Sequence, residues 1–173
     1  MTSGLVLVLG GARSGKSAFA EKLVDASGLR PVYIATAEPR DGEMAERIAH
    51  HRARRGPEWR TVEEADRLED RLVEEASAER AVLVDCLTLW LSNLMLAGAD
   101  CEARCATLCE TVRRVPGLII LVSNEVGLGL VPDNALGRRF RDAQGRLNQA
   151  LASVADRVAF IVAGLPLYLK GTP

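Results

Sequence analysis

The segment Gly10-Gly-Ala-Arg-Ser-Gly-Lys-Ser17 stands directly after an apolar run, Leu-Val-Leu-Val-Leu at 5–9, and before a helix-compatible stretch at 18–24. This is G-x-x-x-x-G-K-S between a strand and a helix, and it restricts the fold severely. Glycines let the backbone turn its N–H groups inward around phosphate oxygens. The helix behind begins with N–H groups that lack intrahelical partners and with the positive end of its dipole. Lys16 has the length to meet β- and γ-phosphates, and the Ser17 hydroxyl suits Mg²⁺. Gly10, Gly11, Ala12, Arg13, Ser14 and Gly15 supply the wall of the cup. The motif predicts binding of a nucleoside triphosphate and sets the first β–α unit.

The rest of the chain continues that rhythm. Runs with strand character at 5–9, 32–35, 81–85, 118–123 and 158–163 alternate with helical stretches at 15–26, 41–54, 65–78, 87–96, 102–114 and 136–155. Several of the runs are apolar throughout, as strands covered on both faces are. Residues 59–62 are a candidate extra strand and 167–169 a candidate edge strand. The alternation predicts an α/β fold, P-loop NTPase-like, with a mainly parallel central sheet flanked by helices. Ligands then belong at the carboxyl ends of the strands. A chain of 173 residues, 48% hydrophobic, suits a single nucleotide-binding domain over 1–173. The net charge of −1 gives no general attraction to nucleic acid or an anionic membrane. No apolar run approaches the ~20 residues of a membrane-crossing helix, so no membrane span is expected. No secretory leader is visible. The cysteines Cys86, Cys101, Cys105 and Cys109 fit a reduced, cytoplasmic protein.

Further chemistry gathers at a few places. Asp85 ends the apolar run 81–85, where P-loop proteins place an acid that holds Mg²⁺ directly or through water. By itself the pattern also describes an aspartate that begins a turn. The two histidines are adjacent, His50 and His51, in a basic helical stretch. Met44, Ile48 and His51 share an apolar stripe, whereas His50 neighbours Arg47 and Arg54 on a cationic line. Arginines hold polyphosphate by charge-assisted bonds. A neutral imidazole there can attack an α-phosphorus and form a phosphoramidate. Taken alone, the stretch reads more simply as a solvated charged face. Cys101, Cys105 and Cys109 recur every fourth residue, a spacing that suits small buried hydrophobes better than a metal cluster. The glycine-rich segment 123–134 falls at the ligand edge of the sheet, where long loops often serve as lids or substrate loops. Behind it Arg138, Arg139 and Arg141 are a phosphate clamp or a solvated face.

Several stretches together carry a family resemblance. They are the glycine-rich segment at 10–17, Tyr-Ile-Ala-Thr at 33–36, Glu-Met-Ala-Glu-Arg-Ile-Ala-His-His at 43–51 and Trp-Arg-Thr-Val-Glu at 59–63. Asp-Cys-Leu-Thr at 85–88, Leu-Ser-Asn-Leu-Met at 91–95, Ser-Asn-Glu-Val-Gly-Leu-Gly-Leu-Val-Pro at 123–132 and Phe-Arg-Asp-Ala-Gln-Gly-Arg-Leu-Asn-Gln at 140–149 follow. In order and in spacing the chain resembles the bifunctional adenosylcobinamide kinase/adenosylcobinamide-phosphate guanylyltransferases of cobalamin biosynthesis. The resemblance implies phosphorylation of adenosylcobinamide by ATP or GTP, then transfer of GMP from GTP to adenosylcobinamide phosphate. It implies that the first histidine of the pair, His50, carries the guanylyl group. Lys16 of the phosphate loop is the catalytic cation expected to neutralise the phosphates as they transfer or leave. It implies nucleotide contacts at the phosphate loop, at Ala35, Thr36 and Ala37, at His51, Arg52, Ala53 and Arg54, and at Glu63 and Asp85. A carboxylate such as Glu63 can accept from the N1–H and N2–H₂ edge of guanine. The family also implies a homotrimer. A monofunctional small-molecule kinase is the alternative, and it leaves the histidine pair without a task.

Overall fold

The computed structural model describes residues 2–37 and 55–172. Among the described residues seven strands form one sheet: β1 (Gly4–Gly10), β2 (Arg30–Ala35), β3 (Arg60–Glu63), β4 (Arg80–Asp85), β5 (Leu118–Asn124), β6 (Arg157–Val162) and β7 (Leu165–Lys170). Among the described residues the helices are α1 (Lys16–Ser27), α2 (Leu68–Glu75), α3 (Leu87–Leu96), α4 (Cys101–Arg114) and α5 (Ala135–Val154). The strand order is β3-β2-β4-β5-β1-β6-β7. All pairs are parallel except β6 with β7. The mainly parallel sheet expected from the β/α alternation is therefore present.

The period-2 alternation of each strand divides the core between two faces. Leu5, Leu7 and Leu9 of β1 join Trp90, Leu91 and Leu94 of α3, Leu108 of α4 and Leu147 and Leu151 of α5. Val6 and Val8 point the other way, toward Ala20 and Val24 of α1. Each inner strand is buried on both sides, which is why its sequence is apolar without interruption.

The expected elements appear with small shifts, and each shift has a local cause. α2 is shorter than the stretch 65–78. Glu64 Oε1 accepts from the N–H groups of Asp66 and Arg67 at 3.1 and 2.8 Å, which holds these residues in a turn. Ala76, past the other end, is extended. β6 stops at Val162 because Ala163 (φ 52°) and Gly164 (φ 80°) make a two-residue hairpin turn with positive φ at both positions. α4 and α5 begin on side-chain caps: Asp100 accepts from Ala103 N–H at 3.0 Å, and Asn134 from Gly137 N–H at 2.7 Å. The expected helix at 41–54 lies outside the described residues.

Candidate active site

The phosphate loop joins β1 to α1 at the carboxyl edge of the sheet. Its path requires unusual backbone. Gly10, Arg13 and Gly15 have φ of 152°, 56° and 101°. A Cβ on Gly10 would meet the Ile161 carbonyl oxygen at 2.6 Å, so only glycine fits there. Gly15 precedes the first turn of α1 without any side-chain cap, and Ser17 is the second residue of that helix. Lys16 is buried, and its Nζ donates to the Gly11 carbonyl at 2.6 Å, which folds the side chain under the loop. Gly164 N–H donates to the Ser14 carbonyl at 2.9 Å. The β6–β7 turn thus braces the loop from behind. Sequence reasoning did not find this brace, because Ala-Gly is not among the dipeptides that signal a two-residue hairpin.

Sheet register aligns the other candidates along the same edge. Glu63 lies beside Ala35, Ala35 beside Asp85, and Asp85 beside Val122. Glu63 is exposed. Asp85 Oδ2 is buried and accepts no hydrogen bond from the protein. A buried, unmatched carboxylate oxygen suits a hard cation, and the Ser17 hydroxyl is the second oxygen donor of the expected pair. The residues present therefore fit Mg²⁺. The peptide bond between Asp85 and Cys86 is cis.

Thr36 fixes this edge. Its buried hydroxyl donates to the Cys86 carbonyl at 2.7 Å and accepts from the Cys86 N–H at 2.8 Å. Asn93 Nδ2 of α3 donates to the carbonyls of Thr36 and Ala65 at 3.0 and 3.2 Å. The end of β2 is thereby tied to the end of β4 and to the segment that follows β3. Burial, and then the charge of Asp85, push the Cys86 thiol up to about 11. It stays a neutral packing group at physiological pH.

Beside Asp85, the Arg55 guanidinium carbon lies 3.5 Å from the Tyr33 ring centroid. Trp59 meets Tyr33 edge-on, with centroids 6.4 Å apart. Burial and the Asp85 charge raise the Tyr33 phenol well above its ordinary value, and Arg55 opposes them. Neither Tyr33 nor Arg55 was a site candidate in the sequence. A tyrosine in a two-sided strand reads there as core. His50, His51, Arg52, Ala53 and Arg54 lie outside the described residues, so Arg55 is the first described residue after them.

The exit of β5 is equally well held. Asn124 N–H donates to Thr88 Oγ1 at 2.8 Å, and Glu125 N–H to the Gly10 carbonyl at 3.0 Å. Behind it, buried Ser123 Oγ donates to Asn148 Oδ1 at 2.7 Å, and Gln144 Nε2 donates to both. Asn148 Nδ2 completes the set with the Asn124 carbonyl at 3.0 Å. Of the arginines behind the loop, Arg138 donates to the Pro132 carbonyl and Arg141 pairs with Asp142. The three α4 cysteines are half-buried and pack against the larger core cluster. Burial pushes the Cys105 thiol up to about 12, consistent with a packing role.

A glycine-wrapped phosphate cup between β1 and α1, facing a strand-end carboxylate across a parallel sheet, defines a P-loop nucleotide-binding protein. Solved structures agree on the fold. The P4 protein from bacteriophage phi6, in complex with ADP, superposes with a TM-score of 0.52 at 15% identity, over 95% of this chain and 52% of that one. The flagellar accessory protein FlaH from Methanocaldococcus jannaschii gives 0.56 at 12% identity, over 98% of this chain and 79% of that one. Within that class, residues 6–169 match the family model of cobinamide kinase / cobinamide phosphate guanyltransferase. The bifunctional adenosylcobalamin biosynthesis protein CobP of Pseudomonas aeruginosa is 55% identical over 169 residues, 96% of this chain and 98% of that protein. Its counterpart CobU of Escherichia coli K12 is 39% identical over 181 residues, with 96% and 99% covered. The chain belongs to the cobinamide kinase / cobinamide phosphate guanyltransferase family and is a transferase.

Proposed function

We propose that the chain acts as one bifunctional domain. It phosphorylates the hydroxyl of the aminopropanol arm of adenosylcobinamide with ATP or GTP, then transfers GMP from GTP through His50 to the phosphate so formed. In the first step the substrate oxygen attacks the γ-phosphorus and the nucleoside diphosphate leaves. Lys16 and the loop N–H groups hold the phosphate oxygens as charge shifts. In the second, a neutral His50 nitrogen bonds the α-phosphorus of GTP and pyrophosphate departs. The phosphate oxygen of adenosylcobinamide phosphate then attacks, the P–N bond breaks, and adenosylcobinamide-GDP forms. Ser17 and Asp85 would hold Mg²⁺, which neutralises phosphate charge when bound.

One observation carries this reading: the phosphate cup and Asp85 face the same sheet edge to which the chain returns at Arg55 on Tyr33. Arg55 is five residues beyond His50, within about 17 Å of chain. Glu63 stands four strand spacings, about 19 Å, from the phosphate-loop strand. An extended nucleotide laid along the edge suits that span, with the guanine toward Glu63. Ala35 and Ala37 flank it, Thr36 orders the edge beneath it, and His51, Arg52, Ala53 and Arg54 accompany the nucleophile.

The resemblance also brings a homotrimer. Support comes from β7, whose alternate residues Leu165, Leu167 and Leu169 are all more than half exposed. A cytoplasmic location fits the four free thiols.

GTP labelled at the α-phosphate tests the central step. After incubation with Mg²⁺ and without corrinoid, the protein should carry one acid-labile GMP, located at His50 by mass spectrometry. Label that persists in His50→Ala would refute the assignment. A protein that only phosphorylates adenosylcobinamide and never takes up label is the monofunctional kinase.

A further inference from the structure

We propose that the apolar crest of the loop between β5 and α5 is the seat of the corrin macrocycle, with Leu128, Leu130, Val131 and Leu136 as the pad. The inference rests on the function proposed above and adds the place where its larger substrate docks.

Leu128, Leu130, Val131 and Leu136 are 81%, 97%, 68% and 51% exposed. Four large aliphatic side chains are exposed within nine residues of chain, a concentration of the kind that marks an interaction site. The loop is held in this outward posture. Gly127 N–H donates to Glu125 Oε1 at 2.5 Å, Arg138 Nη1 donates to the Pro132 carbonyl at 2.9 Å, and Asn134 caps α5 through Gly137. A pad fixed in advance loses little ordering entropy when a ligand arrives.

Its root identifies the occupant. The loop springs from Asn124 and Glu125, and Glu125 N–H bonds the Gly10 carbonyl at the lip of the phosphate cup. Leu128 is three residues beyond Glu125, within about 10 Å of chain from that lip. Adenosylcobinamide must bring its aminopropanol hydroxyl to that place while its broad macrocycle stays outside. The periphery of a corrin ring alternates methyl groups with carboxamide arms. Exposed Asp133, between Val131 and Leu136 in the chain, offers an acceptor for such amides, and exposed Arg139, three residues beyond Leu136 on α5, offers a donor. The other exposed leucine row, on β7, is less suited. β7 runs antiparallel to β6, so its residues recede from the cup after Gly164.

The test compares wild type with Leu128→Ser/Leu130→Ser, two exposed positions whose change leaves the core untouched. Four readings are taken: KM and kcat for adenosylcobinamide and its phosphate, equilibrium binding of adenosylcobinamide by its absorbance, uptake of α-label from GTP, and sedimenting mass. The expected result is a corrinoid KM and dissociation constant raised about tenfold. Label uptake, a half-reaction without corrinoid, and mass should match wild type. Leu128→Met/Leu130→Met should restore corrinoid affinity. Corrinoid constants within twofold of wild type overturn the proposal. A fall in sedimenting mass also overturns it and gives the patch to a second copy of the chain. Wild type that takes up label yet never turns over adenosylcobinamide removes the functional reading instead, and the docking site with it.

Discussion

At the scale of single residues, Thr36 shows how a small polar group orders a site from beneath. Its hydroxyl is both donor and acceptor to the backbone of Cys86, the residue after Asp85. Thr36→Val keeps the shape and strands two buried backbone groups. It should cost about 1–3 kcal/mol, read from the denaturant midpoint. It should also weaken Mg²⁺-dependent turnover, because Asp85 loses its neighbour's anchor. An unchanged midpoint would mean that the two bonds contribute nothing net. Some of the site was legible residue by residue. Gly10, Gly15 and Lys16 were found because a phosphate cup demands those types at that spacing. Thr36 entered only through resemblance, and its bonding was hidden because Cys86 is fifty positions away in the chain.

At the scale of elements, Glu75 joins β3, α2 and β4. Arg60 of β3 donates to its carboxylate at 2.9 and 3.0 Å, and Arg80 of β4 at 3.0 Å. The Arg60 hydrogen bonds, reinforced by the charges of Arg60 and Arg80, hold the buried carboxyl below its ordinary value despite the opposing cost of burial. The folded state then binds fewer protons than the unfolded one in the acid range. Stability from this group is complete above the ordinary carboxylate value and is lost as pH falls through the lowered one. Glu75→Gln should therefore melt below wild type at pH 7, and the gap should close as pH drops from 5 to 3. A gap that stays constant across that range would show that the ion pairs are not its source. None of this was visible in the sequence, where nothing links Arg60, Glu75 and Arg80. The helices themselves were legible. α3 falls where expected, and α4 and α5 begin one residue early, on Asp100 and Asn134 caps.

At the scale of the whole molecule, the parallel sheet has two different edges. β3, at one end, brings Glu63 to the carboxyl edge of the sheet, and β7, at the other, exposes its leucine row. If β7 forms the proposed trimer contact, Leu167→Glu should lower the sedimenting mass from three chains to one while the monomer keeps its fold by circular dichroism. An unchanged mass would remove β7 from that contact. Legible from the order of residues alone were the phosphate cup, the alternation of strands and helices and the two-sided burial of the inner strands. Each of these follows from local geometry or from a periodicity that a single segment can carry. The order β3-β2-β4-β5-β1-β6-β7, the row Glu63–Ala35–Asp85, the Gly164 brace and the Thr36 latch emerge from the folded arrangement. Those depend on which buried strands lie side by side. Apolar strands of similar length are nearly interchangeable neighbours in the sequence, and the packing of helices against both faces selects one arrangement.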